Sequence, residues 1–291
     1  MTVFEIRAER IPEQVVRGMR LGRHLWHDSR SRQYPYEPPS RLTTLASVMH
    51  ERHAPILDQG ETSSCTGNAM DGDLATSPVW EALPPPALVL DEAEALRLYS
   101  AAEVIDGDGP YPPNDNGSYG LSVAKAAKNA GLISGYTHCF SRASMLAALQ
   151  AGPVIVGMNW YQGFDQPGAG GLVSISGSVR GGHEVVSRGV DMAAGLIEFD
   201  NSWGTGWGDA GRFRMSFATL DRLLAEGGDV TVPLPLSQPP PQPVPWTHPD
   251  IQFGHDQQVI DWAATAATGK LVSGTYAAQQ YQAWRKARGY A

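Results

Sequence analysis

Four helical patterns followed by four strand patterns, all between residues 54 and about 230, constrain this 291-residue chain more than any other feature of its sequence. Apolar spacing and start signals predict helices over Cys65–Thr76, Asp91–Ile105, Tyr119–Ala130 and Ser141–Gln150. Strands are predicted over Val154–Met158, His183–Val190, Leu196–Asp200 and Arg212–Phe217, the last with Phe213, Met215 and Phe217 alternating against polar neighbours. A helical half followed by a mainly β half implies an α+β fold of two lobes with a cleft between them, the usual setting of a site.

The flanking sequence differs from this core in composition. Residues 1–53 are rich in arginine and carry a proline-broken stretch, Tyr34–Ser40, which reads as an extended arm rather than a domain. The core is expected over 54–231. A linker follows over 232–250, where Pro233 to Pro249 holds eight prolines in seventeen residues and favours polyproline II. Residues 251–291 have helical composition broken by glycines at 269–274, and are expected to form a helical hairpin too small to stand without something to dock on.

The glycine-dense run Asp200-Asn-Ser-Trp-Gly-Thr-Gly-Trp-Gly-Asp-Ala-Gly211 follows a strand, and eighteen residues before its Asn201 lies His183, entering a strand behind Gly181 and Gly182. Far upstream, Gln59-Gly-Glu-Thr-Ser-Ser-Cys65 puts a cysteine at a helix start behind two N-cap candidates, where orphan N–H groups and the helix dipole favour a thiolate. A lone cysteine is more often a small buried hydrophobe, which is the reading for Cys139. Cys65, His183 and Asn201 together fit a nucleophile, a general base and an amide that orients the imidazole.

In these elements the chain resembles the papain family of cysteine peptidases. The family's Gln-Gly-x-x-x-Ser-Cys element matches Gln59–Cys65, its Gly-His strand entry matches Gly182-His183, and its Asn-Ser-Trp-Gly signature matches Asn201–Gly211 without a gap. Thr66-Gly67-Asn68-Ala69 after the nucleophile, and a stretch Gly22–Pro39 similar to the leader of bacterial members, are nearer to the bacterial and viral branch. The resemblance implies a papain-like fold with a helical lobe and a β-barrel-like lobe. It implies Cys65 as nucleophile, His183 as base and acid, Asn201 as orienter, Gln59 in the oxyanion hole with the Cys65 N–H, and Trp203 shielding the hydrogen bond between Asn201 and His183. The implied activity is endopeptidase hydrolysis through a thioester. An acyl-transfer or deconjugating enzyme on the same triad, or a structural component of a larger assembly such as a phage particle, is the alternative. Asn116, Gly117, Ser118, Met158 and Gly182 are the candidates for substrate contact.

The remaining signals narrow the partners. Net charge is −8, which argues against binding nucleic acid or anionic lipid through bulk charge. His24/His27 and His50/His53 lack the spacing of a zincin helix, and Pro110 and Tyr111 break the calcium-loop likeness of Asp106–Gly109, so neither a metal nor another cofactor is expected. The expected partners are a polypeptide substrate and, through the helical tail, an assembly. Two cysteines leave no disulfide framework, and Met1–Gln14 has no signal-peptide core; a cytoplasmic location is expected, with a virion component as the alternative. The arm reads as a structural wrap, or alternatively as an inhibitory segment crossing the cleft. It is shorter than the family's helical propeptide, so no conventional zymogen is expected.

Overall fold

The computed structural model describes residues 13, 16–24, 29–40, 42, 44–84 and 89–237. The predicted helical hairpin and most of the proline-rich linker lie outside the described residues.

Among the described residues, five α-helices and seven strands follow one another as β1 (Val48–Met49), α1 (Cys65–Leu74), α2 (Glu92–Asp106), α3 (Gly120–Asn129), β2 (Gly135–Cys139), α4 (Arg142–Leu149), β3 (Val154–Tyr161), β4 (Val179–Asp191), β5 (Leu196–Asp200), β6 (Arg212–Ser216), α5 (Phe217–Ala225) and β7 (Asp229–Leu234). The strands form one antiparallel sheet in the order β2-β7-β3-β4-β5-β6, with β1 on β4. None of the described helices is long and apolar enough to cross a membrane.

Two cores flank the sheet, and strand alternation separates them. Val154, Val156, Met158 and Trp160 of β3 join Leu146 and Leu149 of α4 and Leu220 and Leu223 of α5 in one core. Ile155 of β3 and Val186 of β4 point the other way, to Met70, Leu74, Leu98 and Leu121 of the helical lobe. Cys139 is a buried free thiol in the first core.

Local chemistry fixes the helix starts that the sequence announces. Asp91 caps α2 by accepting from the Ala93 and Glu94 N–H groups, and Ser141 and Ser144 form a capping box on α4. The central helix α1 has two glycines, two aspartates and an asparagine, a poor helix-forming set, yet all ten residues are buried. Packing holds it: a Cβ on Gly67 would fall on the Ala95 carbonyl of α2.

Four elements escape sequence patterning, the first being the two-residue β1. β2 is buried at every position and has no alternation. Phe217 starts α5 instead of ending β6. β7 runs to Leu234, three residues past the expected domain boundary; its Pro233 hides the strand, but it lies beyond the stretch paired with β3, so its missing N–H costs no bond on that side.

Candidate active site

α1 packs on β4, which brings the first residue of the helix to the strand that carries His183. Ser64 occupies the N-cap position of α1 without making a side-chain cap; its Oγ is engaged instead by Thr62 Oγ1 at 2.6 Å and Asn68 Nδ2 at 3.1 Å. The Cys65 sulfur lies within hydrogen-bonding reach of the Glu184 backbone N–H, next to His183.

His183 Nε2 meets Asn201 Oδ1 at 2.7 Å. The Ser202 N–H donates to the same Oδ1 at 2.8 Å, which identifies that atom as the oxygen and makes Nε2 the protonated ring nitrogen. His183 Nδ1, buried and without a hydrogen-bond partner, is then the basic nitrogen of the ring. Trp203 stacks on the imidazole at 4.9 Å and 28°, and Trp160 meets it edge-on at 4.8 Å.

Gln59 is held against the Asn201–Trp203 turn by its N–H to the Ser202 carbonyl, 2.9 Å. Ser202 Oγ donates to Gln59 Oε1 at 2.6 Å, so the amide nitrogen is presented on the other side, to the carbonyls of Thr62 at 2.8 Å and Leu21 at 3.4 Å. Ser202 and Trp160 are site residues that sequence reasoning missed. Ser202 sits inside the signature and was legible there; Trp160 was hidden in a strand.

Leu21 belongs to the arm, and the arm crosses the cleft. Arg23 bridges Gly182 of β4 in antiparallel fashion and Ser118 in parallel fashion. The Arg23 N–H donates to the Gly182 carbonyl at 3.0 Å, the His24 N–H to Ser118 O at 3.1 Å, and the Ser118 N–H to Gly22 O at 2.9 Å. Trp203 Nε1 donates to Arg20 O at 2.9 Å. Contact is backbone to backbone: a Cβ on Gly22 would fall on the Ser63 carbonyl, and one on Gly182 on the Arg23 carbonyl. For residues 18–24 this corrects the structural-wrap reading in favour of the cleft-crossing alternative.

Of the five substrate-contact candidates, Gly182 and Ser118 hydrogen-bond the arm, while Gly117 abuts Gly22 and donates its N–H to Tyr99 Oη. Asn116 donates its N–H to Glu103 at 2.6 Å. Met158 lies opposite His183 in the ladder and is fully buried in the sheet-side core. The β3 residue that meets the arm is its neighbour Gly157, on the other face. Successive residues of a strand face opposite sides, so Met158 and Gly157 lie on different faces of β3.

Under the arm, Cys65 and His183 are both fully buried. Burial, and then the nearby Glu184 carboxylate, push the Cys65 thiol up, and the Glu184 N–H offsets this only in part. Burial lowers His183 to about 3 despite the Asn201 hydrogen bond. The helix-start effect expected to favour a thiolate is outweighed here by desolvation. Among the described residues, no group of three or more His, Cys, Asp or Glu could hold a metal ion.

Residues 92–222 match the model of the papain family of cysteine proteases, a span that includes His183 and Asn201 and begins after Gln59 and Cys65. The fold is similar to that of xylellain, a cysteine protease from Xylella fastidiosa, with a TM-score of 0.57 at 17% identity over 76% of this chain and 99% of that one. Digestive procathepsin L 3 of Tenebrio molitor larval midgut gives 0.51 at 17% identity, covering 73% of this chain and 76% of its own. Procathepsin B S9 from Trypanosoma congolense gives 0.52 at 12%, covering 74% and 86%. No curated protein matches the sequence. The family match over 92–222 and the fold around it agree: this part of the chain is similar to the papain family of cysteine proteases, and the fold is papain-like.

Proposed function

We propose that the domain hydrolyses peptide bonds through Cys65, His183, Asn201 and Gln59, and that the arm-covered site is its silent state. The observation that carries this is the His183–Asn201 hydrogen bond at 2.7 Å, which puts the proton on Nε2 and leaves Nδ1 as the base. In the open site Nδ1 takes the Cys65 proton and the sulfur attacks the scissile carbonyl carbon. The oxygen gains charge and is met by Gln59 Nε2 and the Cys65 N–H. The imidazolium then protonates the leaving amine, giving a thioester and a free amino terminus. Water attacks the thioester as His183 takes its proton, and the proton returns to sulfur as the acid leaves.

Two features support a silent state. The arm backbone uses the Gly182 and Ser118 hydrogen-bonding edges that an extended peptide would need. Burial also favours the neutral thiol and neutral imidazole over the reactive ion pair.

The test is to treat the purified protein with an epoxide thiol reagent, map the adduct by mass spectrometry, and assay a peptide mixture beside Cys65→Ala. Expected are an adduct on Cys65 and cleavage abolished by the substitution. An adduct on Cys139 alone, or undiminished cleavage by Cys65→Ala, would sink the reading.

A further inference from the structure

The arm does more than cover the cleft, because one of its side chains fills a pocket that the chemistry above does not use. The Arg23 side chain is 1% exposed. Its Nη2 donates to Asp229 Oδ1 at 2.5 Å and to the Gly227 carbonyl at 3.1 Å, and its Nε lies 3.5 Å from Glu184 Oε2. Both carboxylates are buried, and the two Glu184 oxygens have no hydrogen-bond partner. The pocket is made for a long side chain by what is missing from its walls. Gly157 stands opposite Glu184 in the ladder, and a Cβ there would fall on Arg23 Nε. A Cβ on Gly120, at the start of α3, would sit 2.7 Å from Glu184 Oε1.

Two buried acids facing one cavity are costly when no cation is present. Burial and the neighbouring Asp229 hold the Glu184 carboxyl well above its ordinary range, whereas Asp229 and Glu184 together outweigh the burial of Arg23 and raise it. The acceptors lie around Nε and Nη2, a spread that suits the planar fork of a guanidinium better than the point charge of an ammonium. The pocket also adjoins the reacting centre, since Glu184 follows His183 and its N–H reaches the Cys65 sulfur. An extended peptide on the Gly182 and Ser118 edges therefore directs one side chain to where the Arg23 side chain now goes.

We propose that Gly120, Gly157, Glu184 and Asp229 form the specificity pocket of the enzyme, that it selects an arginine side chain in the peptide substrate, and that Arg23 stands in for that arginine while the arm is seated. The proposal rests on the peptidase reading above and names the substrate class of that site.

Two measurements on the full chain test it, one independent of activity. With Arg23→Ala, butylguanidinium is expected to raise the melting temperature, while neutral butylurea leaves it unchanged and Arg23→Ala/Asp229→Asn responds to neither. Circular dichroism checks that both variants fold, and the conservative Glu184→Gln serves in place of Asp229→Asn if the latter does not. Cleavage of a randomised peptide mixture by the Arg23→Ala chain is then mapped by mass spectrometry. Arginine is expected at one fixed position relative to the cut, with at least about tenfold preference over its neutral isostere citrulline. That preference should collapse in Glu184→Gln and Asp229→Asn while peptides with leucine there are still cut. Cleavage without an arginine preference, a preference that survives both acid substitutions, or no response to butylguanidinium overturns the pocket and leaves the peptidase standing. No cleavage of any peptide and no adduct on Cys65 overturns the peptidase, and the substrate assignment with it.

Discussion

Gln59 is the residue at which one side chain has to satisfy two demands. Its Oε1 is pinned by Ser202 Oγ at 2.6 Å, so its Nε2 can face only the other way. Removing one oxyanion donor typically lowers kcat about 10²- to 10³-fold, and Gln59→Ala is expected to fall in that range with KM little changed. Ser202→Ala frees the amide without deleting it and should cost less; steady-state kinetics on both variants would separate positioning from donation. The four residues Gln59, Cys65, His183 and Asn201 were legible because each is embedded in a short motif whose spacing is set by local backbone. Asp229 and Arg23 were not, since they come together across 206 residues and nothing in either segment refers to the other. Met158 shows the limit within one strand: the sequence marks a strand there, but the face each residue takes is decided by which core its neighbours fill.

Among the elements, α1 stores an electrostatic cost behind Cys65. Asp71 and Asp73 are buried in it, with side-chain oxygens that have no hydrogen-bond partner. Burial raises Asp71 to about 8 and Asp73 well above its ordinary range. A folded-state value above the unfolded one means that the folded chain binds more protons between about pH 4 and 8, so stability from Asp71 falls as pH rises through that window. Asp71→Asn removes the titration, and its melting temperature relative to wild type should climb between pH 5 and pH 8. The arm makes a second prediction at this scale. Gly22→Ala forces a methyl onto the Ser63 carbonyl and should loosen the seated segment by about 1–3 kcal/mol. Each 1.4 kcal/mol is tenfold in the seated-to-open equilibrium, so Cys65 should be alkylated about five- to 140-fold faster. An unchanged rate would mean that the thiol is reached without displacing the arm. The helices α1–α4 were legible through apolar spacing and, for α2 and α4, through their caps, whereas β2 and β7 were not, because full burial and a proline erase the alternation that marks a strand.

Across the whole molecule, stability and site share one aromatic cluster. Trp160 touches His183, Trp203, Trp207, Phe164 and Phe213, and Phe213 stacks on Phe199 at 4.8 Å. Phe213→Ala deletes a fully buried ring and is expected to cost about 3–5 kcal/mol. Urea titration should show this as a lower midpoint at constant slope. The order of the strands has a consequence in time. β7, the last described strand in the chain, lies inside the sheet between β2 and β3 and brings Asp229 to the arginine of the arm. A ribosome therefore delivers Cys65, His183 and Asn201 before it delivers the carboxylate that fastens Arg23. The fastening of the arm is completed late in synthesis, by the strand that also fills the gap between β2 and β3.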